Sequence, residues 1–191
     1  MEEMSYIDAN MIVWVDETGS DRHEGIRRYG YSLRGMTPIG FKVGIRGKRL
    51  SVIAAMSARG VEDVDINIIE GTTNGDAFSA FLEHNILPIM QPFNGSNPRS
   101  ILVLDNASIH HVNEVIGLVN RRGVMIQYMP AYSPNFMPLE EVFSKVKYFL
   151  KRAEVVYTST DNPSLLLAMA FASVTHDDCL GYIYHAGYYT H

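Results

Sequence analysis

Two short apolar segments of this chain each close on an aspartate, and a later helical segment opens on a glutamate. The apolar segments are residues 11–16 (Met-Ile-Val-Trp-Val-Asp) and 101–105 (Ile-Leu-Val-Leu-Asp). The glutamate is Glu140, with 34 residues lying between it and Asp105. Continuous β-branched and aromatic runs of this length read as strands buried on both faces. Aspartate is a poor strand former, so a single acid there only marks a strand end entering solvent. Two such ends and a helix-borne acid point instead to a shared site, because open α/β sheets gather ligands at the carboxyl ends of their strands.

Three carboxylates at one sheet edge suit Mg²⁺ or Mn²⁺, hard cations that bind oxygen and keep several waters. Two such ions about 4 Å apart can activate the attacking oxygen of a phosphodiester displacement and stabilise the leaving one. Without metal, the acids repel and raise one another's pKa. Glu17 and Glu141 compete for the same roles. Along a strand Glu17 points away from the Asp16 face, and on a helix Glu141 lies about 100° round from Glu140.

The remaining pattern alternates strands and helices. Strands are expected at residues 10–16, 29–33, 50–56, 101–105 and 124–129. A helix over 75–85 is capped by Asn74 or Thr73, and a second, capped by Asn106 or Ser108, carries Val112, Val115, Ile116 and Val119 to a stop at Gly123. Pro138 suits the first turn of a helix running to about residue 152, and another helix follows over 164–174. The expected architecture is an α/β domain with a mixed five-stranded sheet flanked by helices, in the order of the ribonuclease-H-like fold.

With 191 residues, 47% of them hydrophobic, the chain suits one domain. No apolar run approaches the roughly 20 residues of a membrane span. The acidic start lacks the features of a signal peptide, and the lone Cys179 excludes an internal disulfide. These point to a nuclear or otherwise intracellular, non-secreted protein. The net charge of −5 hides an uneven distribution. Residues 22–49 carry Arg22, Arg27, Arg28, Arg34, Lys42, Arg46, Lys48 and Arg49 against Glu24 alone, and Lys145, Lys147, Lys151 and Arg152 follow Glu140. Both basic sets flank the acids in sequence, as a phosphate-backbone surface would.

Several strings match a known family: Val15-Asp16-Glu17-Thr18, Tyr29-Gly30-Tyr31-Ser32, Leu104-Asp105-Asn106-Ala107-Ser108-Ile109-His110, and Met129-Pro130-Ala131-Tyr132-Ser133-Pro134 through Glu140. The chain resembles the catalytic domain of DDE transposases of the Tc/mariner superfamily over most of residues 10–152. The resemblance implies that Asp16, Asp105 and Glu140 are catalytic and bind two Mg²⁺ or Mn²⁺ ions. It implies that water first cuts DNA at transposon ends and that the resulting 3′-hydroxyl then attacks target DNA. From their own positions, Asn106 is expected to cap the following helix or to orient Asp105, and His110 to serve phosphate or water behind the site or to be a surface or capping histidine. Arg46, Lys48, Arg49, Lys145 and Lys147 are expected to hold the DNA backbone largely without regard to sequence. A homodimer fits the family; a membrane or a small-molecule cofactor does not.

The match departs from the family in three ways. Ala131 replaces a proline, Met137 replaces an asparagine that commonly supports the site, and the chain starts close to the first catalytic strand. It is therefore read as one catalytic domain, with its core at about 10–152, a helical extension over 153–191 and no N-terminal helix-turn-helix modules. The alternative is a decayed or domesticated DNA- or protein-binding domain that no longer cuts.

Overall fold

The structure, a computed structural model, describes residues 7–20, 32–36, 49–61, 66–107, 110, 113–130 and 133–190. Among these residues the five strands are β1 (Ile12–Ser20), β2 (Leu50–Ser57), β3 (Ile66–Glu70), β4 (Ile101–Leu104) and β5 (Met125–Tyr128). They lie side by side in the order β3-β2-β1-β4-β5. β1 is central: it runs antiparallel to β2, with Asp16 opposite Ala54, and parallel to β4, where pairing stops at Val15 and Leu104. β4 and β5 are parallel, and β2 and β3 antiparallel.

Both faces of the sheet are covered, as the unbroken apolar character of β1 and β4 requires. Six α-helices do most of this among the described residues: α1 (Gly75–Phe81), α2 (Asn113–Arg122), α3 (Leu139–Arg152), α4 (Glu154–Ser159), α5 (Pro163–Ala172) and α6 (His176–His185). Ile12, Trp14, Ile101 and Val103 pack with Val142, Phe143 and Val146 of α3, Phe171 of α5 and Ile183 of α6. Val13, Val15, Leu102 and Leu104 pack with Phe78 and Phe81 of α1 and Val115 and Val119 of α2. Trp14 is fully buried, its indole 5.1 Å from the Tyr188 ring in an edge-on arrangement.

Local chemistry accounts for the helix starts. The Asn74 side chain accepts the Ala77 N–H, and α1 continues as a π-helical turn over Leu82–Ile86. Gly123, at φ +73°, ends α2 in the left-handed region that glycine tolerates. Thr175 and Asp178 cap α6 reciprocally.

The sheet departs from the expected strands in three places. Residues 32–33 are not in a strand, and the rest of the expected strand 29–33 lies outside the described residues. The place beyond β2 is filled by β3, a five-residue edge strand in which Ile66, Ile68 and Ile69 favour strand and Asn67 and Glu70 do not. The expectation that β1 ends at Asp16 is also corrected. β1 continues to Ser20 because β2 goes on pairing with it, Ser20 opposite Leu50, after β4 has stopped. Antiparallel partnering overrides the weak strand propensity of Gly19 and Ser20.

Candidate active site

Strand parity decides which acids meet. Side chains alternate across a sheet, so Asp16 falls on the Trp14 face of β1 and Asp105 continues the Ile101–Val103 face of β4. Both face α3. One step past the last parallel pair, Val15 beside Leu104, lie Asp16 and Asp105. α3 packs on this face through Leu139, Val142 and Phe143, which puts Glu140, in its first turn, at the same edge. Asp16, Asp105 and Glu140 line one open cleft of about 520 Å³. Its walls also include Glu17, Asn106, Met129, Pro130, Ser133 and Met137.

The three carboxylates have different surroundings. Asp16 is 8% exposed, and its Oδ1 accepts the Glu17 N–H at 2.7 Å. Burial pushes its carboxyl up to about 7; the Glu17 N–H opposes this, and the charges of Asp105, Glu140 and Glu17 add to it. Asp105 is half-exposed. Its Oδ1 accepts the Ala107 N–H at 3.0 Å and lies 2.6 Å from His110 Nδ1. Glu140 is exposed on α3.

Among the described residues, no three His, Cys, Asp or Glu side chains close around one point as a ready-made metal cage. The donor set nevertheless fits a hard divalent cation. It is made of carboxylate oxygens, and Asp16, Asp105 and Glu140 border one cleft, where a cation would offset their mutual repulsion.

Both competing glutamates pair with histidines. Glu17, on the opposite face of β1, meets His110 Nε2 at 3.1 Å. Glu141 meets His185 Nδ1 of α6 at 2.6 Å. His110 is completely buried against Phe78, with ring centroids 4.3 Å apart. Burial disfavours its charge, but hydrogen bonds to Asp105 and Glu17 outweigh that and raise its pKa to about 10.

The other site residues divide. Asn106 lines the cleft beside Asp105. Arg46 and Lys48 lie outside the described residues, whereas Arg49 is exposed with its guanidinium over Gly19. Lys145 is ion-paired with Asp178, the residue that caps α6. Lys147 is half-buried on α3. Met137 is 4% exposed; it joins the α3-side core while also lining the cleft. The bond between Glu17 and His110 escaped sequence reasoning, because a pair 93 positions apart leaves no local signature. The only available signal was that Glu17 must face the side opposite Asp16.

Residues 11–160 match the profile of the DDE superfamily endonuclease family. No curated protein matches the chain. Among solved structures, the crystal structure of the Mos1 strand transfer complex aligns at a TM-score of 0.65 and 18% identity, over 94% of this chain and 52% of that one. The Mos1 mariner paired end complex with Mn aligns at 0.63 and 17% identity, over 94% and 53%. The catalytic core domain of BIV integrase aligns at 0.51 and 11% identity, over 86% and 82%. The fold is therefore ribonuclease-H-like. The chain spans about half the length of the Mos1 chains it matches.

Proposed function

This chain belongs to the DDE superfamily endonuclease family, and on that premise we propose that it is the metal-dependent DNA-cutting and strand-transfer domain of a transposase. The observation that carries this reading is the convergence of Asp16, Asp105 and Glu140 on one cleft at the sheet edge. The likeness to a strand transfer complex and to a paired end complex with Mn supports it.

Asp16, Asp105 and Glu140 are the residues that would hold Mg²⁺ or Mn²⁺. Bound there, a pair of such ions would supply Lewis-acid activation of the attacking and leaving oxygens. The chain's own residues do the rest. Asp16, whose protonated form burial favours, would hold the metal as the carboxylate. The Ala107 N–H and His110 hold Asp105. Lys147 and Lys151, which share the Glu140 stripe of α3, would hold the DNA backbone. Water attacks one phosphodiester and breaks its P–O3′ bond, leaving a 3′-hydroxyl and a 5′-phosphate. That hydroxyl then attacks a phosphodiester of the second DNA, joins to its phosphorus and expels that strand's own 3′-hydroxyl.

One observation favours the second reading, a binding domain that no longer cuts: the side chain beside Glu140 in the cleft is the apolar Met137. The test is nicking of supercoiled plasmid in Mn²⁺ by the 191-residue chain, with Glu140→Gln as the blank. Nicking above the blank that chelation removes supports the nuclease. A folded chain that never exceeds the blank leaves the binding domain.

A further inference from the structure

His110 is completely buried, so each ring nitrogen needs a hydrogen-bond partner. Nδ1 lies 2.6 Å from Asp105 Oδ1, and Nε2 lies 3.1 and 3.2 Å from the two oxygens of Glu17. Carboxylates accept, so both nitrogens donate. The ring cannot swing away: Phe78 stacks on it at 34°, Tyr128 donates its hydroxyl to the His110 carbonyl at 3.0 Å, and the His110 N–H donates to the Ala107 carbonyl at 3.0 Å.

The Ala107 N–H and the His110 ring both hold Oδ1 of Asp105, while the side chain as a whole remains about half-exposed in the cleft. We propose that Glu17 and His110 form a positioning relay for Asp105: Glu17 fixes the imidazole, and the imidazole fixes the carboxylate in the orientation that meets a divalent cation in the cleft. This rests on the reading of Asp105 as a metal ligand.

Stability alone is a poor reason to keep such a cluster. Burying charged groups is costly, and apolar replacements of similar volume are often as stable. Groups that orient metal ligands, by contrast, typically cost about 10–100-fold in metal affinity or activity when removed. Glu17 and His110 are thus positioning residues, acting through Asp105.

The test is Mn²⁺ titration calorimetry on the whole chain, with thermal melts of every variant. Glu17→Leu keeps the side-chain volume and removes the acceptor; Glu17→Gln keeps an acceptor oxygen for Nε2–H. His110→Phe keeps the stacking on Phe78 and removes both donors, so it carries the test if Glu17→Leu does not fold. The expected result is Mn²⁺ affinity lowered about tenfold or more in Glu17→Leu and His110→Phe, with most of the loss recovered in Glu17→Gln. Parental affinity in folded Glu17→Leu or His110→Phe overturns the relay. So does an equal loss in Glu17→Gln, which would make Glu17 itself a ligand. Asp105→Asn separates the failures. If it abolishes binding while the relay variants bind like the parent, only the relay falls; if it binds like the parent, Asp105 is no ligand and both readings fall.

Discussion

The backbone N–H of Glu140 donates to the carbonyl of Met137 at 3.1 Å, in the turn that opens α3. The two side chains then part, Met137 into the core and Glu140 into solvent, although both border the cleft. Methionine brings a flexible apolar stem and a weak sulfur acceptor where the family commonly has an amide.

Met137→Asn is therefore expected to trade stability for activity. Burying the amide costs about 1–3 kcal/mol, which lowers the melting temperature by roughly 2–12 °C in a chain of this size. A polar group beside Glu140 should raise Mn²⁺-dependent nicking, toward the roughly tenfold that such support is worth. Melting curves and plasmid nicking of the two proteins check it. Nicking no higher than the parent's in a folded variant shows that Met137 is no lesion.

Asp16 makes the metal-free chain sensitive to pH. Its folded pKa, about 7, lies above its ordinary value of 3.8. A raised pKa means that this group's contribution is fully present below about pH 4 and is lost as pH rises through about 7. The loss is at most roughly 4 kcal/mol, since a tenfold change in proton affinity is worth about 1.4 kcal/mol. Asp16→Asn should flatten that loss, so the variant's stability advantage over the parent should grow from about pH 4 to about pH 7.5 in urea titrations without metal. A difference that is constant across the window would contradict the burial argument.

On α3, Lys147 and Lys151 follow Glu140 by 7 and 11 positions, close to two and three helical turns, and so share its stripe. Lys145 lies about 200° round from Lys147 and is held by Asp178, whose carboxyl that bond draws down to about 2. Lys147→Ala with Lys151→Ala should weaken duplex binding and flatten its salt dependence, by about 0.9 in the log–log slope for each phosphate left unneutralised. Lys145→Ala should instead lower the melting temperature and leave the slope alone. Fluorescence anisotropy across a salt series distinguishes them, and the reverse pattern would move the DNA to the other side of the helix.

The acids that line the cleft were legible because their signals are local. Asp16 and Asp105 follow unbroken apolar runs, and Glu140 opens a helix whose Val142, Phe143 and Val146 announce its buried face. The positions of β3 and the far end of β1 were not legible, because both depend on pairing with β2. Residues 66–70 are a short run in which Asn67 and Glu70 interrupt three isoleucines, and Gly19 and Ser20 carry little strand propensity. Of the α6 start, the Thr175–Asp178 capping pair was the available sign. The role of Glu17 needed three dimensions, since only the fold brings β1, α1 and the turn after β4 around His110.

The central claim is that Asp16, Asp105 and Glu140 jointly hold divalent metal, and calorimetric titration of Mn²⁺ into the parent and into the Asp16→Asn, Asp105→Asn double variant tests it most directly. Both proteins should melt cooperatively, the variant at the higher temperature near neutral pH. The parent should bind Mn²⁺, more tightly as pH rises through about 7 and Asp16 gives up its proton, and the double variant should show no measurable binding. Unchanged Mn²⁺ affinity in the double variant would contradict the claim.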